Sequence, residues 1–550
     1  MKSKLVARPA NCAARASGKS FSKGVAFPLL ALALVTQTAQ AQLATNLITS
    51  PKALALGNAV TADTPGIAAI HFNPAGLTKL EGRNLNVTLL NIRASIQTKF
   101  DAPPGYNIFG IDGVENDPIL SKSGNGRTIT LAAYLPGWGI IRLPKGPGVL
   151  PSTGFSYNPP GSKFTFGNMT YAPDLVGYYR SHNDPGRYLA KAAVLQRFTY
   201  LSPTVAYQID DQWSVGMGIH FSQQAIAIDT FARAPNLLVG VAEELQTAFN
   251  CETGNEPLAP FLGLCGGDIG PWDDIGGITI ETQETLSPKY VLGVTWTPTD
   301  WFSWGASYTS EAKMKLKGQF EVQYSEDWQG FWQRFTGSLF GAIGGAIFGL
   351  PSGVPKESGN VSMDFTHPAH FQTGVSVKVN HGLTLNADLG WTDYSSWDAF
   401  DFTFDRPLEF LGAARLLSPN ATETTLTLPL EYQDVWNLAL GAEFHATSRL
   451  DLRLGVEFRD SPIPRNRRDT AAPLGDATLY GAGLGYKWDR DSTIDVAIGY
   501  LRSAVEIPPN TSLNANSTAI NNIILNPYAG LNIRTTTKIV QAAISFTTKF

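Results

Sequence analysis

The stretch "LDLRLGVEFR", from Leu450 to Arg459, alternates apolar and polar side chains without a break. Leu450, Leu452, Leu454, Val456 and Phe458 fall on one face. Asp451, Arg453, Gly455, Glu457 and Arg459 fall on the other. A period of two belongs to a β-strand with one greasy and one wet face. One such strand fits any soluble sheet, but here the pattern recurs. In "LTLNADLGW", Leu383, Leu385, Ala387, Leu389 and Trp391 oppose Thr384, Asn386, Asp388 and Gly390. In "IVQAAISFTTKF", Val540, Ala542, Ile544, Phe546 and Phe550 oppose Gln541, Ala543, Ser545, Thr547 and Lys549. Charges on one face fit a wet lumen, and apolar residues on the other fit lipid.

Composition agrees. Charged residues are 16 % of the chain, against roughly 25 % in soluble domains. The mean hydropathy of −0.06 is too low for a helical membrane protein and fits alternating strands. A net charge of −4 argues against a nucleic-acid partner, which needs a basic face. The longest uncharged apolar stretch, "GSLFGAIGGAIFGL" at 337–350, is shorter than the roughly 20 residues of a spanning helix.

The expected architecture is all-β, a transmembrane barrel of fourteen antiparallel strands. The strand cores read as 84–97, 127–140, 164–179, 194–208, 213–228, 287–298, 302–322, 360–379, 383–404, 431–446, 449–462, 477–488, 492–506 and 535–550. Short turns such as Asn380-His381-Gly382 and Thr447-Ser448-Arg449 alternate with long connections at 229–284, 325–358, 405–430 and 508–533. Short turns on one side and long loops on the other mark an outer-membrane barrel, and closure leaves no unpaired edge in lipid.

The N-terminus reads as an export signal over 1–41. Lys2, Lys4, Arg8, Arg15, Lys19 and Lys23 precede the apolar run from Val25 to Val35, and Ala39-Gln40-Ala41 fits the cleavage rule. Cleavage there starts the mature chain at Gln42. The other reading is a single N-terminal anchor helix. After cleavage Cys251 and Cys265 remain. An even pair in an exported chain suggests a disulfide, the alternative being two free thiols.

Residues 42–83 do not alternate. They carry small residues and a turn at Asn73-Pro74-Ala75-Gly76, where the proline keeps Asn73 out of the helical region and the Asn side chain can bond nearby backbone. A segment of this size ahead of the barrel (84–550) fits inside it as a plug.

"HFNPAGLTKL" resembles the Asn-Pro-Ala signature of the long-chain fatty acid transporter family of Gram-negative outer membranes, which includes channels for toluene and related hydrocarbons. "KYVLGVTWTPTDWFSWGASY", "YQDVWNLALGAEF", "LRLGVEFRDSPIPRNRR" and "LYGAGLGYKW" follow in the family's order. The resemblance covers essentially the whole mature chain. It implies a fourteen-stranded barrel with a hatch carrying Asn73, Pro74 and Ala75, and a Gram-negative outer-membrane location beside lipid and lipopolysaccharide. It also implies capture of a hydrophobic small molecule at the outer loops, hatch rearrangement, and lateral exit at a kink in the third strand. Pro173 sits in that strand and cannot donate to a ladder; it marks the kink or merely ends the strand early. The family also shows an Asp-Arg pair where this chain has Asp476-Ala477. That leaves Arg468 as a headgroup contact, weakens a fatty-acid clamp and favours a neutral hydrocarbon. Alternatively Arg465, Arg467 and Arg468 form a solvated patch or bind lipopolysaccharide phosphates.

Two long loops carry helical apolar stripes. Leu238, Val241, Leu245 and Phe249 share one face. Trp328, Phe331, Trp332, Phe335 and Leu339 form another, continued by Phe340, Ile343, Ile347 and Leu350. The resemblance places the first capture groove between these loops. Gly337, Gly341, Gly345 and Gly349 recur every four residues and offer a smooth face to the neighbouring loop.

An enzyme reading finds no support. The histidines are His71, His182, His220, His367, His370, His381 and His445. In "HPAH" the intervening proline prevents a helical pair, and His367 and His370 read as strand-end residues, not metal ligands. No H-E-x-x-H, G-x-S-x-G or phosphate loop occurs. The expectation is a monomeric channel without cofactor or metal. The rival is an adhesive barrel whose loops bind a partner.

Overall fold

A computed structural model describes residues 50–143, 148–251, 256, 258 and 260–550. The expected export signal, its cleavage site at Ala41 and residues 42–49 lie outside the described residues. Among the described residues no helix is long and apolar enough to cross a membrane.

Fourteen antiparallel strands close into one barrel. They are β1 Gly82–Asp101, β2 Asn125–Thr128 with Gly148–Asn158, β3 Phe164–Tyr179, β4 Ala192–Leu201 with Thr204–Gln208, and β5 Trp213–Ala232. Next come β6 Gly276–Thr299, β7 Phe302–Thr309 with Ala312–Tyr324, β8 Lys356–His367 with His370–Asn380, and β9 Leu383–Thr392 with Ala399–Phe404. The rest are β10 Thr425–Pro429 with Val435–His445, β11 Leu450–Arg459, β12 Ala477–Lys487, β13 Ser492–Ile507 and β14 Asn532–Lys549. β1 pairs with β14 from Asn84↔Lys549 to Asp101↔Asn532, so no edge is left between the two ends of the barrel. The alternation faces as its chemistry demands. Leu452, Leu454 and Phe458 are exposed on the outside, and Arg453, Glu457 and Arg459 are buried within.

One strand departs from the sequence reading. The second was expected at 127–140, but the chain leaves the wall after Leu131 and re-enters it at Gly148. Gly137 and Gly139 have φ of 81° and 73°, a conformation that glycine adopts without strain. They turn 130–142 into a hairpin, Thr130–Leu135 against Gly139–Arg142. Its Ala132 and Tyr134 pack on Val194, Ala225 and Ala227. Those alanines alternate along β5 with Ile226 and Ile228, and Ile228 points into the barrel, so the hairpin lies on the outer face.

The loops on one side are short. Those on the other carry α1 (Leu237–Ala248), α2 (Glu326–Thr336), α3 (Leu339–Phe348) and α4 (Glu409–Ala414). Ser325 and Ser338 cap α2 and α3 by accepting from the N–H groups of Trp328 and Gly341. Gly349 ends α3 in the left-handed region at φ 61°. The glycine face of α3 turns toward α2: a Cβ on Gly341 would lie 1.7 Å from the Phe335 carbonyl oxygen. The neighbouring loop meets α2 through its own glycine instead, with a Cβ on Gly266 falling 2.0 Å from the Gly330 carbonyl. Cys251 and Cys265 are joined by a disulfide with their Cα atoms 5.0 Å apart.

Candidate functional site: the filled lumen, the cavity above it and a break in the wall

Residues 50–80 fill the barrel interior and are nearly all buried. Their seat is built from glycines. Gly441, Gly455, Gly481 and Gly499 pair across β10, β11, β12 and β13 and make a flat stripe inside the wall. The helical turn Pro51–Ala55 and its exit lie on this stripe: Cβ atoms on Gly455 and Gly481 would fall 2.0 Å from the Leu56 carbonyl carbon and 1.9 Å from the Leu54 oxygen. On the facing wall, Gly216, Gly293 and Gly305 leave room for the Asn-Pro-Ala turn, and a Cβ on Gly293 would reach 2.1 Å from Asn73 Oδ1. The alternation pattern flagged such glycines only as gaps in the polar face; their alignment across strands is what carries the information.

Polar bonds tie the segment to the wall at several places, among them Gln372 Nε2 donating to the Phe72 carbonyl at 2.7 Å and Thr78 Oγ1 to Ser214 at 3.0 Å. Asn73 Nδ2 donates to the carbonyls of Thr61 (2.9 Å) and Val294 (3.0 Å), while its Oδ1 accepts from Ala75 N–H (3.2 Å). Asp388 Oδ2 of β9 accepts from Val60 N–H, Thr61 N–H and Thr61 Oγ1 at 2.8, 2.7 and 2.6 Å. Asn58 donates to Glu457 at 2.7 Å. Lys52 and Asp63 form an ion pair at 2.7 Å. Burial acts to raise the Asp63 carboxyl, but Lys52 and Lys79 outweigh it and hold it at about 2.

A polar pocket lies between Phe72 and the wall. His71 Nδ1 is 3.1 Å from the Tyr171 hydroxyl, which is 3.2 Å from His220 Nδ1. His367 bridges Asp174 (2.6 Å) and Lys289 (2.7 Å), and His370 sits beside Thr392 at 2.9 Å. Burial pushes the His71 imidazole down to about 4. The "HPAH" histidines are thus tied to neighbouring side chains, and Pro368 contributes its carbonyl to Lys289.

Pro173 lines this pocket, at a break in the wall. The β3–β4 register slips between Tyr171 and Asp174. On its other side β3 pairs with β2 only over Phe166–Thr170, and beyond the break Tyr178 and Tyr179 pair with Leu131 and Thr130 at the start of the hairpin. Gly148–Ser152 of β2 pairs with β1 but has no ladder partner on β3 among the described residues. Pro173 therefore sits inside β3 at an irregularity and does not end the strand.

Above the filled lumen, under the long loops, is an apolar cavity of about 510 Å³. Trp328, Phe331 and Trp332 of α2, Ile228 of β5, Phe402 of β9 and Phe410 of α4 line it. Of the two loop stripes, Leu238, Trp328, Phe331, Trp332 and Leu350 line it, and Val241, Leu245, Phe249, Phe335, Leu339, Phe340, Ile343 and Ile347 do not. On α1 the inward face carries Val239 and Ala242 beside Leu238, so Val241, Leu245 and Phe249 turn away. On α2, Phe331 and Trp332 point in while Phe335 does not. Leu339, Phe340, Ile343 and Ile347 of α3 are at least half exposed, because the glycines take the side packed on α2. Arg468 does not line the cavity, but Asp469 does. Arg467 is buried against Glu431 and Asn514, which removes it from any solvated patch. Neither Arg467's role nor the loop leucines and isoleucines of the floor (Leu426, Leu428, Ile524) carried a sequence signal.

Residues 29–550 match the model of a family described as outer membrane protein transport protein (OMPP1/FadL/TodX). The long-chain fatty acid transport protein of Escherichia coli K12 is 23 % identical over 307 residues, covering 54 % of this chain and 58 % of that protein. The chain thus spans little more than half the length of that relative. Outer membrane protein P1 of Haemophilus influenzae is 27 % identical over 178 residues, 29 % of this chain and 38 % of that one. Among solved structures, a Pseudomonas aeruginosa FadL homologue aligns with a TM-score of 0.65 at 19 % identity, over 92 % of this chain and 99 % of that chain. The Pseudomonas putida toluene transporter TodX aligns with 0.56 at 16 % identity, over 91 % and 98 %. At these identities the structures establish the fold, and the family model establishes kinship: the chain belongs to the outer membrane protein transport family of Gram-negative outer-membrane β-barrels.

Proposed function

We propose that the protein is a channel that takes up hydrophobic small molecules across the outer membrane. The observation that carries this reading is an apolar cavity of about 510 Å³ directly above a filled lumen, in a barrel whose wall is broken at Pro173. A filled lumen disfavours a polar pore. The exposed apolar face of α3 offers a first contact, since such patches on a soluble surface mark interaction sites. Substrate then enters the cavity, where burial contributes about 25 cal/mol per Å². Movement of the Asn73-Pro74-Ala75 hatch opens the path past His71 to the unpaired edges of β2 and β3, and the substrate leaves sideways into the membrane. A Gly-seated hatch held by a few polar bonds is suited to such movement. The names of two relatives, a long-chain fatty acid transport protein and a toluene transporter, support the substrate class. Closure of the barrel without a free edge supports action as a monomer.

Uptake of labelled toluene, hexadecane and palmitate by whole cells tests the proposal, comparing a strain lacking the protein with one carrying it and one carrying Asn73→Ala. Uptake equal to that of the lacking strain for all three defeats the channel reading. In that case the exposed face of α3 favours the other reading, a barrel whose loops adhere to a partner.

A further inference from the structure

The cavity is apolar inside but carries one sign of charge around its rim. Asp268, Asp273 and Asp274 from the β5–β6 loop, Asp327 from α2 and Asp469 from the β11–β12 loop all line it. Arg233 is the one cation among the described lining residues, and it is committed. Its NH1 and NH2 donate to the two oxygens of Asp117 at 2.7 and 3.1 Å, and its Nε donates to the Pro527 carbonyl at 2.7 Å. Arg187 neutralises Asp274 at 2.9 Å. Asp268, Asp273, Asp327 and Asp469 have no cation within salt-bridge distance among the described residues. Asp273 accepts from Gly270 N–H at 2.8 Å, and Asp469 from Ala471 and Ala472 N–H at 2.8 and 2.7 Å. Burial, reinforced by the charges of Asp327, Asp274 and Asp268, pushes the Asp273 carboxyl up. Burial pushes Asp469 up to about 6.

We propose that this rim makes the channel selective for neutral hydrophobic molecules over ionised carboxylates of the same length. A fatty-acid anion whose tail fills the cavity has to leave its carboxylate among these aspartates, with no free guanidinium or ammonium to receive it. An alkane, an aromatic hydrocarbon or an alcohol brings no charge, and a hydroxyl can donate to an aspartate oxygen. Arg197 and Lys289, two cations deeper in the lumen, lie beside the hatch and not on this rim. They are already bonded, Arg197 to Ser287 and Lys289 to His367 and the Pro368 carbonyl. This inference rests on the uptake reading, and its test separates the two.

Trp328 and Trp332 line the cavity and report its occupancy by their emission. The full-length protein in amphipol is titrated at pH 8 with 1-dodecanol and with dodecanoate, as is the triple variant Asp273→Asn, Asp327→Asn, Asp469→Asn, whose folding is checked by heat-modifiable gel migration. The alcohol is expected to bind about tenfold more tightly than the acid, equivalent to about 1.4 kcal/mol, and the triple variant is expected to close most of that gap. Dodecanoate binding as tightly as dodecanol, or a gap untouched by the triple variant, overturns the selectivity. Emission unmoved by either probe overturns the cavity as a binding site, and the uptake reading with it.

Discussion

Asn73 donates its side-chain amide to the backbone carbonyl of Val294, 3.0 Å away in β6, and so ties the Asn-Pro-Ala turn to the wall. The same amide holds the Thr61 carbonyl, so one side chain satisfies two backbone acceptors. Asn73→Ala removes a buried donor from both, at about 1–3 kcal/mol. The barrel should keep its heat-modifiable migration while amide exchange in 58–78 speeds up. Exchange unchanged from wild type would mean that the turn is held by packing alone.

The glycine stripe predicts a different failure. At Gly481 an added Cβ falls 1.9 Å from the Leu54 oxygen, with backbone on both sides. Gly481→Ala should unseat the Pro51–Ala55 turn, costing about 1–3 kcal/mol by overpacking. Limited proteolysis should then cut near Leu56 in folded barrels. A variant as resistant as wild type would show that the turn can shift without loss.

Acid should loosen the hatch through His71. Its imidazole is held down to about 4 in the folded protein, chiefly by burial. The ordinary value is about 6.5, so between the two the detached segment binds more protons than the seated one. Seating is therefore undiminished above pH 6.5 and weakens as pH falls through that window, by up to about 3 kcal/mol near pH 4. The groups facing His71 are Tyr171, Asp174, His220, Lys289 and His370. Exchange of 66–80 measured from pH 7 to 4.5 should accelerate in wild type and much less in His71→Asn. Equal acceleration in both assigns the effect to the wall histidines.

The disulfide closes a 14-residue separation within the β5–β6 loop. In the chain-entropy account that constrains the loop by about 3 kcal/mol. Cys251→Ser with Cys265→Ser should leave barrel unfolding unchanged and raise protease cleavage between 249 and 266. Loss of the barrel itself would contradict a role confined to the loop.

The exposed face of α3 can be charged without touching the core. Phe340 and Ile347 are 57 % and 67 % exposed. Phe340→Glu with Ile347→Glu should alter barrel stability by under about 0.5 kcal/mol and slow uptake at low substrate concentration. Uptake unaffected at every concentration removes α3 from capture.

Much of this architecture is legible in the sequence, and the exceptions have reasons. Alternation located thirteen of the strands because each must present lipid and lumen faces in turn. It misplaced the second because Ala132, Ala133 and Tyr134 read as strand and are strand, but in a hairpin outside the wall. The true wall segment, "GVLPSTGFSYN", hides its alternation behind Pro151 and small inward residues Ser152, Gly154 and Ser156. Leu238 could be placed on the cavity, but Val241 and Leu245 could not be excluded. A helical stripe gives the apolar face and not the direction it turns when part of that face stays exposed. The acidic rim is assembled from Asp273, Asp327 and Asp469, far apart in the chain, and no local pattern announces it.

The hatch residues Asn58, Thr61 and Asn73 find their partners in Glu457, Asp388 and Val294, hundreds of residues further along the chain. The first strand waits for the last, since β1 pairs with β14. Pairings this remote in sequence form late, because their loops must close first. A segment made before every strand of the wall is thus among the last to find its place, and the barrel has to wrap around it before its seam shuts. Whatever machinery inserts this chain must keep an unanchored N-terminal segment inside a half-built wall until the final strand arrives.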